Sequence, residues 1–314
     1  MKNLLYKGST KDIFHVSGEE LLFKFSDRYS IFDYGEMPDQ INNKGKNTAK
    51  FTVGLYRKLE NKNIIKTHLL KNGESSDEIV VRKFTVPRDF DSSVFYQKRP
   101  INSFIPLEVI FRFGVPVGSS LINRGYKAGE VFEFPLIEFT TKLESIDRLI
   151  TDEEAKKLAG MNDFEFNLLL EKAKQCATFL KTIIDGKGLK LWDGKFEFAF
   201  GELDENSNRE LILVDSISLD ELRITYKDIP LSKEILRQAY KHTEWYNELV
   251  QAKSVSKDNF RAYISKPKTL DANLITLISE MYEEVQAVII SDSLELNKLD
   301  AIVGELKNEY NYIW

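Results

Sequence analysis

The chain has 314 residues, with 44 Lys and Arg against 49 Asp and Glu and a formal charge of −5; 42% of the residues are hydrophobic and 30% charged. That is the composition of a globular protein with a large core and room for more than one lobe. The acidic balance argues against nucleic-acid binding, no apolar run reaches the ~20 residues of a membrane span, and the one cysteine, Cys176, excludes an internal disulfide.

Residues 1 to 111 read as strands with one helix. "LLYKGSTKDIFHV" and "ELLFKFSDRYSIFD" are strand, turn, strand segments punctuated by Gly8 and Asp27. "NTAKFTVGLYRKLENKN" spaces Phe51, Leu55 and Leu59 as an amphipathic helix does. "DEIVVRKFTV" and "IPLEVIFRFGV" are strand-like, and "PRDFDSSVFYQKRPINSF" between them reads as an exposed excursion. Thr151 and Glu154 form a capping box for a helix from 152. A long helix carrying a buried, inert Cys176 follows and stops at Gly186 and Gly188. "SKEILRQAYKHTEWYNELVQAK" and "DANLITLISEMYEEVQAVI" complete the helices. "MKNLLYKGSTKDIF" lacks a signal-peptide hydrophobic stretch, so the cytoplasm is the expected compartment.

His15, His68 and His242 are scattered without metal-ligand spacing, and no G-x-S-x-G, H-E-x-x-H, Walker A or Rossmann glycine string is present. Function must rest on carboxylates, lysines, arginines and backbone groups. "LKLWDGKFEFAFG" places Asp193, Lys195 and Glu197 on one face of a strand and Trp192, Phe196 and Phe198 on the other. The polar turn "GELDENSNR" leads into "ELILVDSISLDELR". Antiparallel partners across that turn put Glu197 opposite residue 214, so a small register adjustment brings Glu197 and Asp215 onto one face. Two close carboxylates repel unless a divalent cation lies between them, and Lys195 beside them suits a phosphate. The pattern outlines a Mg-nucleotide site, against the alternative of an ordinary charged hairpin face. Gly8 in a turn with Lys11 on the return strand suits phosphate approach, or is a plain hairpin. Arg112, followed by Gly118, Ser119 and Ser120, suits a phosphate cradle or a structural Arg–carboxylate pair. Ser218, Asp220 and Arg223 supply a second polar set.

Seven segments in order resemble the SAICAR synthetase (phosphoribosylaminoimidazole-succinocarboxamide synthase) family. "YKGSTKDIF" resembles its Y-x-G-K-x-[KR]-x-[IV]-[YF] opening, and "FSDRYSIFD" with "NNKG" (Asp27, Arg28, Ser30, Asp33, Lys44, Gly45) its next two blocks. "IPLEVIFR…GSSL" is similar to P-x-E-x-x-x-R…G-S, "LWDGKFEFAFG" to L-x-D-x-K-[LF]-E-[FY]-G, and "DSISLDELR" to D-E-x-S-P-D-x-x-R. "FTTKLESIDRLITDEEA" and "LSKEILRQAYKHTEWY" also look like family segments. The chain departs from the pattern at Ser9, at Ser216 and Leu219, in a longer Arg112–Gly118 spacing, in an inserted pair Ala199–Phe200, and in the stretch 87 to 103.

The resemblance implies ATP-dependent ligation of L-aspartate to carboxyaminoimidazole ribonucleotide (CAIR), giving SAICAR, ADP and phosphate. It implies a two-lobed α+β fold: a kinase-like antiparallel-sheet lobe over 1–111, and an ATP-grasp-like lobe with C-terminal helices over 112–314. ATP and Mg²⁺ are the implied cofactors. Gly8 and Lys11 would cover the phosphates, Arg82 and Phe84 would mark the adenine-reading strand, and Glu197 and Asp215 would hold Mg²⁺. Lys195 would face the substrate carboxylate or the transferred phosphate. Arg112, Ser119 and Arg223 would grip the substrate nucleotide's phosphate, and Asp220, beside Ser218, its ribose or base. The partners are small molecules, without nucleic acid or membrane, and a homodimer is compatible with the sequence. The competing readings are a related carboxylate–amine ligase with a different amine and a silent nucleotide-binding relative. A protein-kinase-like phosphotransferase lacks its H-R-D and D-F-G patterns.

Overall fold

The computed structural model describes residues 3–87, 92–144, 147–256, 259–291 and 295–310. It is a mixed α+β fold built on antiparallel sheets. The chain opens with β1 (Asn3–Lys7), β2 (Lys11–Ser17) and β3 (Glu20–Phe25), then a short pair, β4 (Arg28–Ser30) and β5 (Glu36–Gln40), and helix α1 (Lys44–Asn61). β6 (Lys66–Thr67), β7 (Leu69–Asn72) and β8 (Glu78–Arg82) follow. The smaller sheet has the order β1-β2-β3-β8-β7. Phe23, Phe25, Ile79 and Val81 of this sheet pack on Ala49 and Val53 of α1. Every residue of the edge strand β1 is exposed.

After α2 (Ser92–Gln97) come β9 (Ser103–Phe104), β10 (Leu107–Gly114), β11 (Val131–Thr141), β12 (Leu149–Ile150), α3 (Asp152–Leu158) and α4 (Asp163–Asp185). β13 (Lys190–Leu203), β14 (Arg209–Val214), β15 (Leu222–Tyr226) and β16 (Ile229–Pro230) finish the larger sheet. Its main order is β12-β11-β10-β13-β14-β6, with β15 and β9 also pairing β13. Residues 111 and 112 both fall inside β10, a central strand of this sheet. Helices α5 (Glu234–Lys241), α6 (Glu244–Val255), α7 (Ala272–Ile290) and α8 (Asn297–Tyr310) close the chain.

Local chemistry explains the main boundaries. Thr151 and Asn162 both make capping boxes, with Glu154 and Glu165, at the starts of α3 and α4. The segment read as one helix over 232–253 is two, because the chain leaves helical geometry at His242 and Thr243 caps α6 through the Tyr246 N–H. The stretch after residue 87 is not simply an exposed excursion. Residues 88–91 lie outside the described residues, but Tyr96 is fully buried and donates its hydroxyl to the Phe104 carbonyl at 2.6 Å. Cys176 is buried against the large sheet, where burial pushes its thiol up to about 12. The inserted pair Ala199–Phe200 lies within the β13–β14 ladder, opposite Ile212 and Leu211.

Strand alternation divides the large sheet into two faces. Val109, Phe111, Phe139, Phe196 and Phe198 face the core with Leu169, Ala173, Cys176, Ala177 and Leu180 of α4. Gly194 shares that side, and a Cβ there would meet Phe111 at 2.6 Å and Leu222 at 2.7 Å. The other face carries the chemistry.

Candidate active site

Register sets the charged face. Ile110 pairs with Lys195 and Arg112 with Asp193, so Glu108, Arg112, Asp193, Lys195 and Glu197 share it. β11 adds Glu138 opposite Ile110, and β15 adds Arg223 opposite Asp193. The face is covered by its own ion pairs and is not an ordinary solvated hairpin surface.

The β13–β14 pairing has the expected register, with Glu197 opposite Val214 and Phe198 opposite Leu213. No register adjustment brings Asp215 over. β14 ends at Val214, and Asp215 adopts a left-handed φ of 67°, which breaks the strand's alternation. Three side chains hold the turned backbone. Tyr56 of α1 donates to the Val214 carbonyl at 3.0 Å, Thr52 of α1 to the Ile217 carbonyl at 3.1 Å, and His68 meets the Asp215 carbonyl through Nε2 at 3.0 Å. His68 is buried between the rings of Phe23 and Tyr56. A carbonyl acceptor fixes the proton of its neutral ring on Nε2.

The result is a line of alternating charge. Lys11 pairs with Asp215; Lys142 joins Glu197 at 2.9 Å to Glu108 at 2.6 Å; Lys195 meets the same Glu108 oxygen at 2.6 Å. Burial and the nearby Asp215 charge hold the Glu197 carboxyl above its ordinary range, against the pull of Lys142 and Lys195. Burial also opposes the charge of Asp215, but Lys11 outweighs it and holds that carboxyl low. Glu108 is held down to about 2 because Lys195 and Lys142 overcome its burial. Glu108 and Lys142 are site residues to which the sequence reading gave no role. Glu108 stands inside the quoted "IPLEVIFR", two residues before Ile110, and its place beside Lys195 follows from the β10–β13 register.

Next to this line, Asp193 receives Arg112 at 3.2 Å and Arg223 through Nε at 2.6 Å, with a second Arg223 bond to the other oxygen. Arg112 also donates to Glu138 at 2.6 Å, and its remaining amino group faces Ser120 Oγ at 3.5 Å. Arg124 adds a further bond to Glu138. Ser119 is buried, and its hydroxyl accepts from the Leu121 N–H at 3.3 Å. The group thus has three guanidiniums and two carboxylates. On the other flank, Lys44 at the start of α1 pairs with Asp220 at 2.8 Å, both buried. Ser218 Oγ accepts from the Asp220 N–H at 3.1 Å and donates to Glu221 at 2.5 Å. Lys233 is lowered to about 8, first by burial and then by Arg237 and Lys195, against the attraction of Asp220 and Glu221. Ser216 is buried in the same turn.

Gly8 closes the β1–β2 turn through its N–H to the Lys11 carbonyl at 2.9 Å; a Cβ there would meet that oxygen at 2.6 Å. Arg28 fixes the turn from behind, donating to the Gly8 carbonyl at 3.0 Å. Phe84 packs on Ala199, Ile212 and Val214, at the strand ends leading to Glu197 and Asp215. Arg82 lies 5.3 Å from the Phe84 ring centre and turns away to Asn102 and Glu202.

Acidification should expose the cost of the His68 contact. Burial lowers His68 from 6.5 to about 4, so the unfolded chain takes up this proton first as pH falls. Between about pH 6.5 and 4 the protein is expected to lose roughly 3 kcal/mol through this group. Glu108, ordinarily near 4.5 and held at about 2, adds a second loss between those values. Urea midpoints at about pH 7, 5 and 4 check this, and an unchanged midpoint across the upper window contradicts it.

Comparison with known proteins bears on this arrangement. A family model described as SAICAR synthetase matches residues 4–268. A phosphoribosylaminoimidazole-succinocarboxamide synthase of Thermoplasma acidophilum is 30% identical, covering 80% of this chain and 87% of its own. An Archaeoglobus fulgidus protein provisionally assigned the same activity is 32% identical, covering 91% and 92%. Among solved structures, the SAICAR synthase of Saccharomyces cerevisiae complexed with SAICAR shares the fold, with a TM-score of 0.67 at 21% identity, covering 92% of this chain and 95% of that one. A SAICAR synthetase in complex with ADP superposes with a TM-score of 0.60 at 24% identity, covering 84% and 99%. No helix among the described residues is long and apolar enough to cross a membrane. Because the family match runs through every strand that builds the charged face and through the helix that holds the Asp215 turn, this chain belongs to the SAICAR synthetase family.

Proposed function

We propose that the chain joins the carboxylate of CAIR to the amine of L-aspartate, converting ATP to ADP and phosphate in purine biosynthesis. Family membership carries the reaction. The observation that supports its location is the line of three ammonium groups and three carboxylates on one sheet face beside an arginine-rich group. A carboxylate is a poor acyl donor because its leaving group is an oxide. Transfer of the ATP γ-phosphoryl to it makes an acyl phosphate; the aspartate amine forms the C–N bond as the C–O bond to phosphate breaks, and the amine gives up a proton. Such chemistry asks the protein to position anions and offset their charge.

On this reading Gly8 lets the β1–β2 turn approach the ATP phosphates, and Lys11 exchanges Asp215 for a phosphate oxygen. Phe84 and the strand end at Arg82 border the adenine. Lys195 meets the substrate carboxylate or the transferred phosphoryl, and Lys142 and Glu108 hold it in place. Arg112, Ser119 and Arg223 take the nucleotide's phosphate; Asp220, with Ser218 behind it, takes the ribose or base. The small sheet with α1 would act as the kinase-like lobe and the remainder as the ATP-grasp-like lobe, with ATP between them.

Glu197 and Asp215 fit Mg²⁺. They are two neighbouring acids whose mutual repulsion a cation relieves, and Mg²⁺ characteristically takes one or two carboxylates plus substrate phosphates. Among the described residues no group of three or more His, Cys, Asp or Glu side chains is arranged to hold an ion unaided. When bound, Mg²⁺ supplies positive charge to the phosphoryl oxygens. The enzyme is expected in the cytoplasm.

Phosphate release from ATP should require CAIR and aspartate together. A panel of amines tests the specific reading: turnover with another amine and none with aspartate would assign the chain to a different ligation.

A further inference from the structure

The family match ends at residue 268, and α7 begins beyond it at Ala272. This helix is part of the site's framework. It packs along α1, with Ile290 against Gly54, and Ser279 accepts the Asn42 N–H at 3.0 Å just before α1 begins. From the same buried face, Tyr282 donates its hydroxyl to Asp220 Oδ1 at 3.3 Å, while Lys44 takes Asp220 Oδ2 at 2.8 Å. Tyr282 is 1% exposed and Asp220 8%. A phenol used only for packing does not need its oxygen aimed at a carboxylate, and a buried carboxylate oxygen without a donor is costly. The two contacts divide the two oxygens of Asp220 between them and fix the plane of its carboxylate.

We propose that Tyr282 is a positioning residue that sets the orientation of Asp220 toward the imidazole nucleotide, so that the segment beyond the family match completes the substrate site. The inference rests on the reading of Asp220 as a nucleotide contact. With the hydroxyl gone, Asp220 is held by Lys44 alone and is free to turn about that pair. ATP and aspartate, which this reading places on other residues, should not sense the change.

The test is a double-mutant cycle in the full chain: Tyr282→Phe, Asp220→Asn and both together, with KM for CAIR, ATP and aspartate, kcat and the melting temperature for each. Tyr310→Phe, which removes a hydroxyl from the α7 cap at Asp271, controls for a general effect of the C-terminal helices. Tyr282→Phe is expected to raise the CAIR KM about tenfold, as loss of one hydrogen bond to a charged group does. Its kcat and other KM values should stay within about twofold. In the Asp220→Asn background the same change should have almost no further effect. A normal CAIR KM in Tyr282→Phe, an equal effect in both backgrounds, or a uniform loss shared by Tyr310→Phe overturns the positioning role while leaving Asp220 as a nucleotide contact. A normal CAIR KM in Asp220→Asn removes the nucleotide contact itself, and the proposal with it.

Discussion

Asp215→Asn is expected to lower turnover by about a thousandfold or more, the equivalent of several kcal/mol of lost charge stabilisation at the transferred phosphoryl. The fold should survive. Asparagine tolerates the left-handed backbone that Asp215 adopts nearly as well as aspartate does. Its side-chain oxygen can still accept from Lys11, and the turn remains held through Tyr56, Thr52 and His68. Glu197 would also lose the repulsion that holds it above its ordinary range. The measurements are steady-state ADP release over a Mg²⁺ titration and a thermal melt. Near-normal activity at ordinary Mg²⁺ would remove the assignment of the cation to this side chain.

Lys195→Ala should cost about 10²–10³ in kcat, the range seen when one preorganised group facing developing charge is deleted. Stability should change little, because Glu108 keeps Lys142 at 2.6 Å when Lys195 is gone. The same reasoning separates Lys195 from Lys142. Removing Lys142 strips Glu197 and Glu108 together of a counter-charge, so Lys142→Ala should lower the melting temperature as well as the rate. Single-turnover phosphate release reads the chemical step, and an unchanged rate in Lys195→Ala would place the reacting groups elsewhere.

Periodic features were legible in the sequence. The β13–β14 register follows from the ends of one polar loop, and the helix caps at Thr151 and Asn162 follow from side chains three residues apart. Features made by distant contacts were not. Nothing near Asp215 announces its left-handed backbone, because its holders lie in α1 and at His68. β11 contains Pro135, which weakens a strand reading, although the proline stands at an irregularity in the ladder with β10. Without β11, Lys142 could not be placed beside Glu197. Arg112 illustrates a choice the sequence left open between a carboxylate and a phosphate: it touches two carboxylates and still turns one amino group toward Ser120.

The two-faced central sheet constrains how this chain can vary in length. One residue added to or removed from the middle of β13 would exchange its sides, burying Lys195 and Glu197 against α4 and turning Phe196 and Phe198 into the reaction chamber. A change of two residues preserves parity. The Ala199–Phe200 pair, the point at which this strand outgrows the family pattern, is such an even step, and viable length variants of β13 should differ by even numbers.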